Sequence, residues 1–248
     1  MPPSSVVIAG ALLLAYLVGS IPFSLILGKV VGGIDLREHG SKNVGATNVT
    51  RLLGWRWGAM ALLLDALKGL VPTLFIPKLV EGWVVSSSLI VGCGVAAILG
   101  HMFSCFLKFK GGKGVATSLG VISVLAPVAA LSAFGTFVVL FAWKRIVSLG
   151  SIVAAVVFAV VQMWVMSPQP FAGNKWSLAV FSLAVPALVI FRHRANIGRL
   201  LRGEEKALHP VGAASAPATT PEPMVRPADG NPGSSSQSLR GEASSRPL

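Results

Sequence analysis

The chain is short of charge. Only 12% of its 248 residues are Asp, Glu, Lys or Arg, where a soluble domain carries about 25%. Acids are the scarcest: nine carboxylates in all, three of them beyond residue 206. No paired Asp/Glu site for a metal or for glycoside chemistry can be picked out. Cysteine is nearly absent, and Cys93 and Cys105 lie in or at the end of one apolar stretch, with no CxxC and no Cys/His cluster of zinc spacing. Both read as small core hydrophobes. There is no GxSxG, no HExxH and no Walker A loop. A metal, a cofactor and a hydrolase-type nucleophile are therefore not expected. Lys and Arg are also missing ahead of the first apolar run, whereas a secretory signal peptide wants a positive start. Residues 5–28 thus read as a retained first helix with its N-terminus outside.

Long hydrophobic runs take the place of charge. The composition is 53% hydrophobic, with mean hydropathy +0.73. Apolar segments fall at 5–28, 55–77, 83–107, 115–142, 146–166 and 176–191, several near the ~20 residues that a spanning helix needs. A spanning segment must satisfy its own backbone, so helices are the default. The runs do not alternate as barrel strands do. The expectation is an all-α polytopic membrane protein.

The net charge of +12 would suggest nucleic acid in a soluble protein. Here an excess of Lys and Arg in cytoplasmic loops accounts for it, with attraction to membrane lipids or a phosphorylated substrate added on top. No nucleic acid partner is expected. Of the eighteen Lys and Arg before the tail, only Lys78 and Lys175 remain outside if 29–54, 108–114 and 192–206 are cytoplasmic. Between the last two loops the chain must then cross an even number of times, yet three apolar runs lie there. Splitting 115–142 at Pro127 restores parity and places Lys144 and Arg145 inside, because proline removes a donor and disfavours helix before it. This gives a seven-helix bundle, N-terminus out and C-terminus cytoplasmic, with short helices at 115–126 and 128–142. Five longer spans would keep the same sidedness. Residues 1–206 form the embedded domain. Residues 207–248, rich in Pro, Ser, Ala and Gly, lack the apolar surface to offset chain entropy and read as a disordered cytoplasmic tail.

Three polar stretches could carry chemistry. In KFKGGKG (108–114), Gly111, Gly112 and Gly114 lead with Lys113 into a helix near Val115, and Lys108 and Lys110 flank them. Close backbone approach, a helix N-terminus and a point charge suit phosphate; a turn with cytoplasmic lysines is the plainer reading. HGSKNVGATN (39–48) offers Ser41, Asn43, Gly45, Thr47 and Asn48, followed by Arg51, which can hold an oxyanion bidentately. In RHRANIGRLLRGEE (192–205), His193, Asn196, Arg199 and Arg202 share one face if the segment is helical. An interfacial helix on anionic lipid is the alternative. His101, at the inner end of the third helix, reads as structural. Asp65 and Lys68 can pair at i,i+3, as a functional site or as a brace. Ser148 and Ser151, beside the Lys144–Arg145 turn, could bind a polar substrate or pack helices.

Taken together, GSKNVGATNVTRLLG (40–54), GHMFSCFLKFKGGKGVATSLG (100–120) and HRANIGRLLRGEE (193–205), with GSIPF (19–23) ahead of them, resemble the signature motifs of the bacterial acyl-phosphate:glycerol-3-phosphate acyltransferases, the PlsY family. The resemblance covers about residues 5–206. It implies transfer of a fatty acyl group from acyl phosphate to the 1-hydroxyl of sn-glycerol 3-phosphate, giving lysophosphatidic acid and inorganic phosphate. It implies no cofactor, no metal, a seven-helix fold, a cytoplasm-facing site in the inner membrane, and an acyl-phosphate-producing enzyme as a partner. Carried over by position, Ser41, Arg51, Lys113, His193 and Asn196 would be catalytic. Gly111, Gly112 and Gly114 would bind phosphate and Glu205 would be structural; on their own chemistry Asn43, Gly45, Asn48, Lys108, Ser148 and Ser151 are further candidates to bind substrate. The HxxxxD arrangement of acyl-CoA-dependent glycerolipid acyltransferases is missing. Two other classes compete: a transporter or flippase for a phosphorylated metabolite or lipid, and a non-catalytic scaffold. The first should show polar residues toward both membrane faces, and the second leaves the glycine loops unexplained.

Overall fold

The computed structural model describes residues 4–82 and 87–208. The tail expected at 207–248 lies, from residue 209 onward, outside the described residues. Among the described residues every regular element is helical: α1 (Ser4–Ser20), α2 (Phe23–Gly32), α3 (Ala46–Leu53), α4 (Trp55–Leu79), α5 (Ser87–Met102), α6 (Val115–Leu125), α7 (Pro127–Lys144), α8 (Val147–Val165), α9 (Trp176–Arg192) and α10 (Arg194–Leu201). Six stretches are long and apolar enough to cross a membrane, the first being α1 and α2 together, and α6 is a shorter apolar helix. The protein is an all-α, polytopic membrane protein.

Three boundaries differ from expectation, each for a local reason. The first helix was expected unbroken over 5–28, but it stops at Ser20 and restarts at Phe23. Pro22 has no N–H to continue the ladder, although the hydropathy never drops. The carbonyls released at the break are satisfied from elsewhere in the chain: Ser104 Oγ, in the loop after α5, donates to Ser20 O at 2.6 Å and Lys68 Nζ of α4 to Ile21 O at 2.7 Å. The polar loop at 29–54 contains a helix, α3, whose Val49 is buried. The run 115–142 does divide at Pro127, but unevenly. Pro127 opens α7, and α7 continues for 18 residues until Arg145 turns left-handed at φ 55°. Proline is well suited to a first helical position, and ~27 Å of helix at 1.5 Å per residue nearly spans the apolar core. Of the two pieces only α6, at 11 residues, is short.

The short helix is placed inside the protein. Gly69 of α4 packs on the carbonyl of Thr117, and Gly120 of α6 on the carbonyl of Ala66, so these two helices touch backbone to backbone. Gly19 and Gly100 do the same for α1 and α5 against Ala97 and Tyr16. Small residues permit such approach, which is how membrane helices pack without a hydrophobic drive. Below α6 lies an apolar core of Ile98, Met102, Val121, Phe158, Phe181 and Val189, in which Phe158 meets Phe181 edge-on at 6.4 Å. The polar segments 36–51, 108–114 and 192–206 converge above it.

Candidate active site

A cavity of about 380 Å³ opens where those three segments meet. One end is polar, with Ser41, Arg51, Lys113, Ser148, His193, Asn196 and Glu205 in its wall. The other runs between helices and is lined by Ile122, Phe134, Phe137, Ala155, Phe158 and Val185. Asn43, Gly45, Asn48, His101, Gly114 and Ser151 also border it. Residues 164 positions apart in sequence, Ser41 and Glu205, thus share one chamber. Lys108 is exposed and outside it; Gly111 borders only a neighbouring cleft formed with Arg37, Lys42 and Lys110.

The polar end is wired by one chain of hydrogen bonds. Lys113 Nζ donates to Asn196 Oδ1, and Asn196 Nδ2 donates to Glu205 Oε1. Ser148 Oγ donates to the same oxygen at 2.7 Å, and Arg199 Nε to Oε2 at 2.6 Å. Burial raises the Glu205 pKa, but the donors from Asn196, Ser148 and Arg199, with the Arg199 charge, bring it below the ordinary value. Glu205 therefore remains a carboxylate, and it ties the glycine loop, α8 and α10 to one point. Burial pushes the Lys113 ammonium down to about 8; Glu205 opposes this, and the guanidiniums of Arg199, Arg51 and Arg192 add to it. Arg199 already has Glu205 as its anion, whereas Lys113, Arg51 and Arg192 are given no carboxylate in an ion pair among the described residues.

His193 is buried where α9 hands over to α10. Its Nδ1 lies 2.8 Å from the carbonyl of Val189. A carbonyl only accepts, so Nδ1 carries the hydrogen and Nε2 keeps its lone pair. Burial, then the charge of Lys113, pushes its pKa down to about 4 despite the Val189 bond and Glu205. The ring is neutral near pH 7 and offers an acceptor. Asn196 and Arg199 follow at three-residue spacing, so α10 presents both to the same cavity. Arg202, the fourth in that pattern, points elsewhere and pairs with Glu204 at 2.8 Å.

Several residues do something different from what their type suggested. Asn48 is buried, and its side chain is fully used: Nδ2 donates to the carbonyls of Leu36 and His39, each at 3.1 Å, and Oδ1 accepts the Ser41 N–H at 2.9 Å. It staples the loop that presents Ser41. The Gly111 and Gly112 amides, expected to face phosphate, donate instead to the carbonyls of Met102 and His101 at 3.1 and 3.2 Å. Gly114 is the glycine that the backbone demands. It sits at φ 81° as the N-cap of α6, a conformation that L side chains avoid, and Val115 and Ala116 of the first turn border the cavity beside it. Ser151 returns its hydroxyl to the Val147 carbonyl at 2.8 Å.

Arg192 was not singled out from sequence. Its guanidinium donates to the carbonyls of Gly111 and Gly112 at 2.9 and 2.8 Å and lies over the Phe103 ring. Nothing in a run of four nearby arginines marks the one that clamps a distant loop. Beyond α10 the chain crosses back over the site: Arg51 reaches the Lys206 carbonyl at 3.4 Å, and the Leu208 N–H donates to the Arg145 carbonyl at 2.8 Å.

A polar chamber rich in cations, continuous with an apolar channel, suits a phosphorylated head joined to a lipid tail. A family model described as Glycerol-3-phosphate acyltransferase matches residues 9–203. The chain belongs to that family. A glycerol-3-phosphate acyltransferase of Anaeromyxobacter dehalogenans (strain 2CP-C) is 45% identical over 202 residues, covering 79% of this chain and 96% of the relative. The enzyme of the same description from Aquifex aeolicus (strain VF5) is 45% identical over 193 residues, covering 77% and 94%. Among solved structures, the crystal structure of PlsY (YgiH), an integral membrane glycerol 3-phosphate acyltransferase, in its glycerol 3-phosphate form is 42% identical, with a TM-score of 0.71 over 82% of this chain and 96% of that one. Its lysophosphatidic acid form matches with a TM-score of 0.69 at 41% identity, over 81% and 94%.

Proposed function

We propose that the protein is a glycerol-3-phosphate acyltransferase that takes its acyl group from an acyl phosphate, yielding lysophosphatidic acid and inorganic phosphate. The observation that carries this reading is the single cavity with a cationic end and an apolar end. The PlsY structures that resemble this chain are described as glycerol 3-phosphate and lysophosphatidic acid forms, which supports the acceptor and the product. An acyl phosphate is an activated mixed anhydride, so the donor needs no covalent enzyme intermediate. The 1-hydroxyl oxygen attacks the acyl carbonyl carbon, the bond from that carbon to the phosphate oxygen breaks, and phosphate departs with the electron pair. The hydroxyl proton passes to the departing phosphate or to Nε2 of His193.

The side chains take roles that follow from their charge and placement. Lys113, Arg51 and Arg192 neutralise phosphate oxygens; Ser41 and Asn196 orient the reacting groups; Glu205 holds Asn196 and Arg199 in place. Positioning and fixed charge in a water-poor site are strong contributors to such a transfer. Phe134, Phe137 and Phe158 line the path for the acyl chain. The excess of Lys and Arg in the polar loops supports a site on the cytoplasmic side of a bacterial inner membrane, with the N-terminus out, the C-terminus in and an acyl-phosphate-producing enzyme as the donor's source. In this reading residues 1–206 supply every side chain to which the reaction gives a role.

Purified protein in detergent with palmitoyl phosphate and glycerol 3-phosphate is expected to release inorganic phosphate, and palmitoyl-CoA is not expected to replace the donor. A folded preparation that releases none would remove the reading. The pH dependence follows from Lys113. A pKa of about 8 means the free enzyme loses this cation as pH rises through that value. The expected kcat/KM therefore declines above about pH 8. Bound phosphate favours the ammonium, so the matching limb in kcat lies at higher pH. In Lys113→Arg, whose guanidinium stays charged, the alkaline limb should disappear; its persistence near pH 8 would assign it to another group.

A further inference from the structure

A second polar cluster, whose Asp65 and His101 reach the cavity wall, has no part in the chemistry above. Asp65 and Lys68 of α4 are both buried and 2.9 Å apart. Ser24 Oγ of α2 donates to Asp65 Oδ2 at 3.0 Å, and Lys68 also holds the carbonyl freed by the Pro22 break. His101, 7% exposed at the end of α5, turns Nδ1 toward Asp65 at 3.8 Å. The opposite edge of the ring faces the glycine loop: a Cβ built on Gly112 would overlap His101 Nε2. The Gly112 N–H donates to the His101 carbonyl, and Arg192 clamps the carbonyls of Gly111 and Gly112 from the other side. The backbone at Gly112 is thus gripped between an imidazole and a guanidinium, one residue before Lys113.

We propose that His101, backed by Asp65, is a positioning residue that sets the Gly111–Gly112 backbone and thereby the place at which Lys113 meets substrate phosphate. It acts through the loop and not on the substrate. A brace for the bundle alone would need only the Asp65–Lys68 pair and its bonds to Ser24 and Ile21. The imidazole adds little to that pair, and it makes no hydrogen bond through Nδ1; what it adds is a wall for Gly112. Gly112 is not among the residues with positive φ, so alanine is conformationally acceptable there. The ring is the near obstacle.

That obstacle makes a suppressor test possible. It rests on the acyltransferase reading, so two readouts are taken: phosphate release from palmitoyl phosphate and glycerol 3-phosphate, and the rise in unfolding midpoint on adding glycerol 3-phosphate alone. Gly112→Ala is expected to lose about a hundredfold in kcat/KM, the scale of a loop displaced by roughly 1 Å, and to lose the midpoint rise. His101→Ala is expected to lose about tenfold or more. Combining them gives the new methyl the space of the missing ring. The pair should recover about tenfold or more over Gly112→Ala and regain the midpoint rise. His101→Asn with Gly112→Ala is a second pair, keeping an amide toward Asp65 while vacating the Nε2 position. Either folded pair showing recovery supports the proposal. Losses that simply multiply in both pairs, or full activity in Gly112→Ala, overturn it. If wild type shows the midpoint rise but no phosphate release, the donor reading fails while the suppressor result still decides this one.

Discussion

Lys113→Ala is expected to lower turnover by about 10²–10³-fold, with the protein still folded. The size follows from what the ammonium does. It is a fixed charge, already largely stripped of water, aimed at the group on which negative charge collects as phosphate departs. Removing one such preorganised donor costs about 2.7–4 kcal/mol of transition-state stabilisation. The ammonium gains little for the fold, since burial pushes its pKa down, so the unfolding midpoint should hold or rise. Lys113→Arg should recover only part of the rate, because a planar fork does not place charge where a compact ammonium does. The measurement is single-turnover phosphate release with both substrates saturating. Turnover within threefold of wild type would remove Lys113 from the chemistry.

Lys68→Met should have the largest effect on stability. It leaves the Asp65 carboxylate buried without its cation and leaves the Ile21 carbonyl without its donor. Breaking a buried ion pair from one side costs about 3–5 kcal/mol. The double variant Asp65→Asn with Lys68→Met removes both charges and should be destabilised far less than Lys68→Met alone. Chemical unfolding in detergent compares the midpoints. Equal losses for single and double variants would show that the pair is not the source of the cost.

The bundle was readable because its signal is redundant. Each span carries its own run of apolar residues, and Pro127 marks a break that the placement of Lys144 and Arg145 independently requires. The Pro22 break was not read, because the apolar run continues across it and only the missing N–H distinguishes the site. Residue types singled out Ser41, Arg51, Lys113, His193 and Asn196, which the structure gathers in one cavity wall, since charge and hydrogen-bonding capacity belong to the side chain itself. They did not reveal Asn48 as a loop staple, Arg192 as a clamp, or the amides of Gly111 and Gly112 as bonded to Met102 and His101. Those roles depend on which backbone groups come near in space, and sequence spacing does not encode that. Glu205 was taken as structural, and its geometry adds that the structure it supports is the site itself.

The strap that carries Glu205 bears on when the protein becomes active during synthesis. Ser41 and Lys113 leave the ribosome early, and the helices that frame them can insert one after another. Glu205 comes after all the spans, so until it arrives Arg199 sits in the cavity without its carboxylate, and Asn196 is not held. A chain interrupted just short of residue 205 would be an inserted bundle with an unfinished pocket. The last bonds of the pocket, from Ser148, Asn196 and Arg199 to Glu205, thus form only after every span has been made.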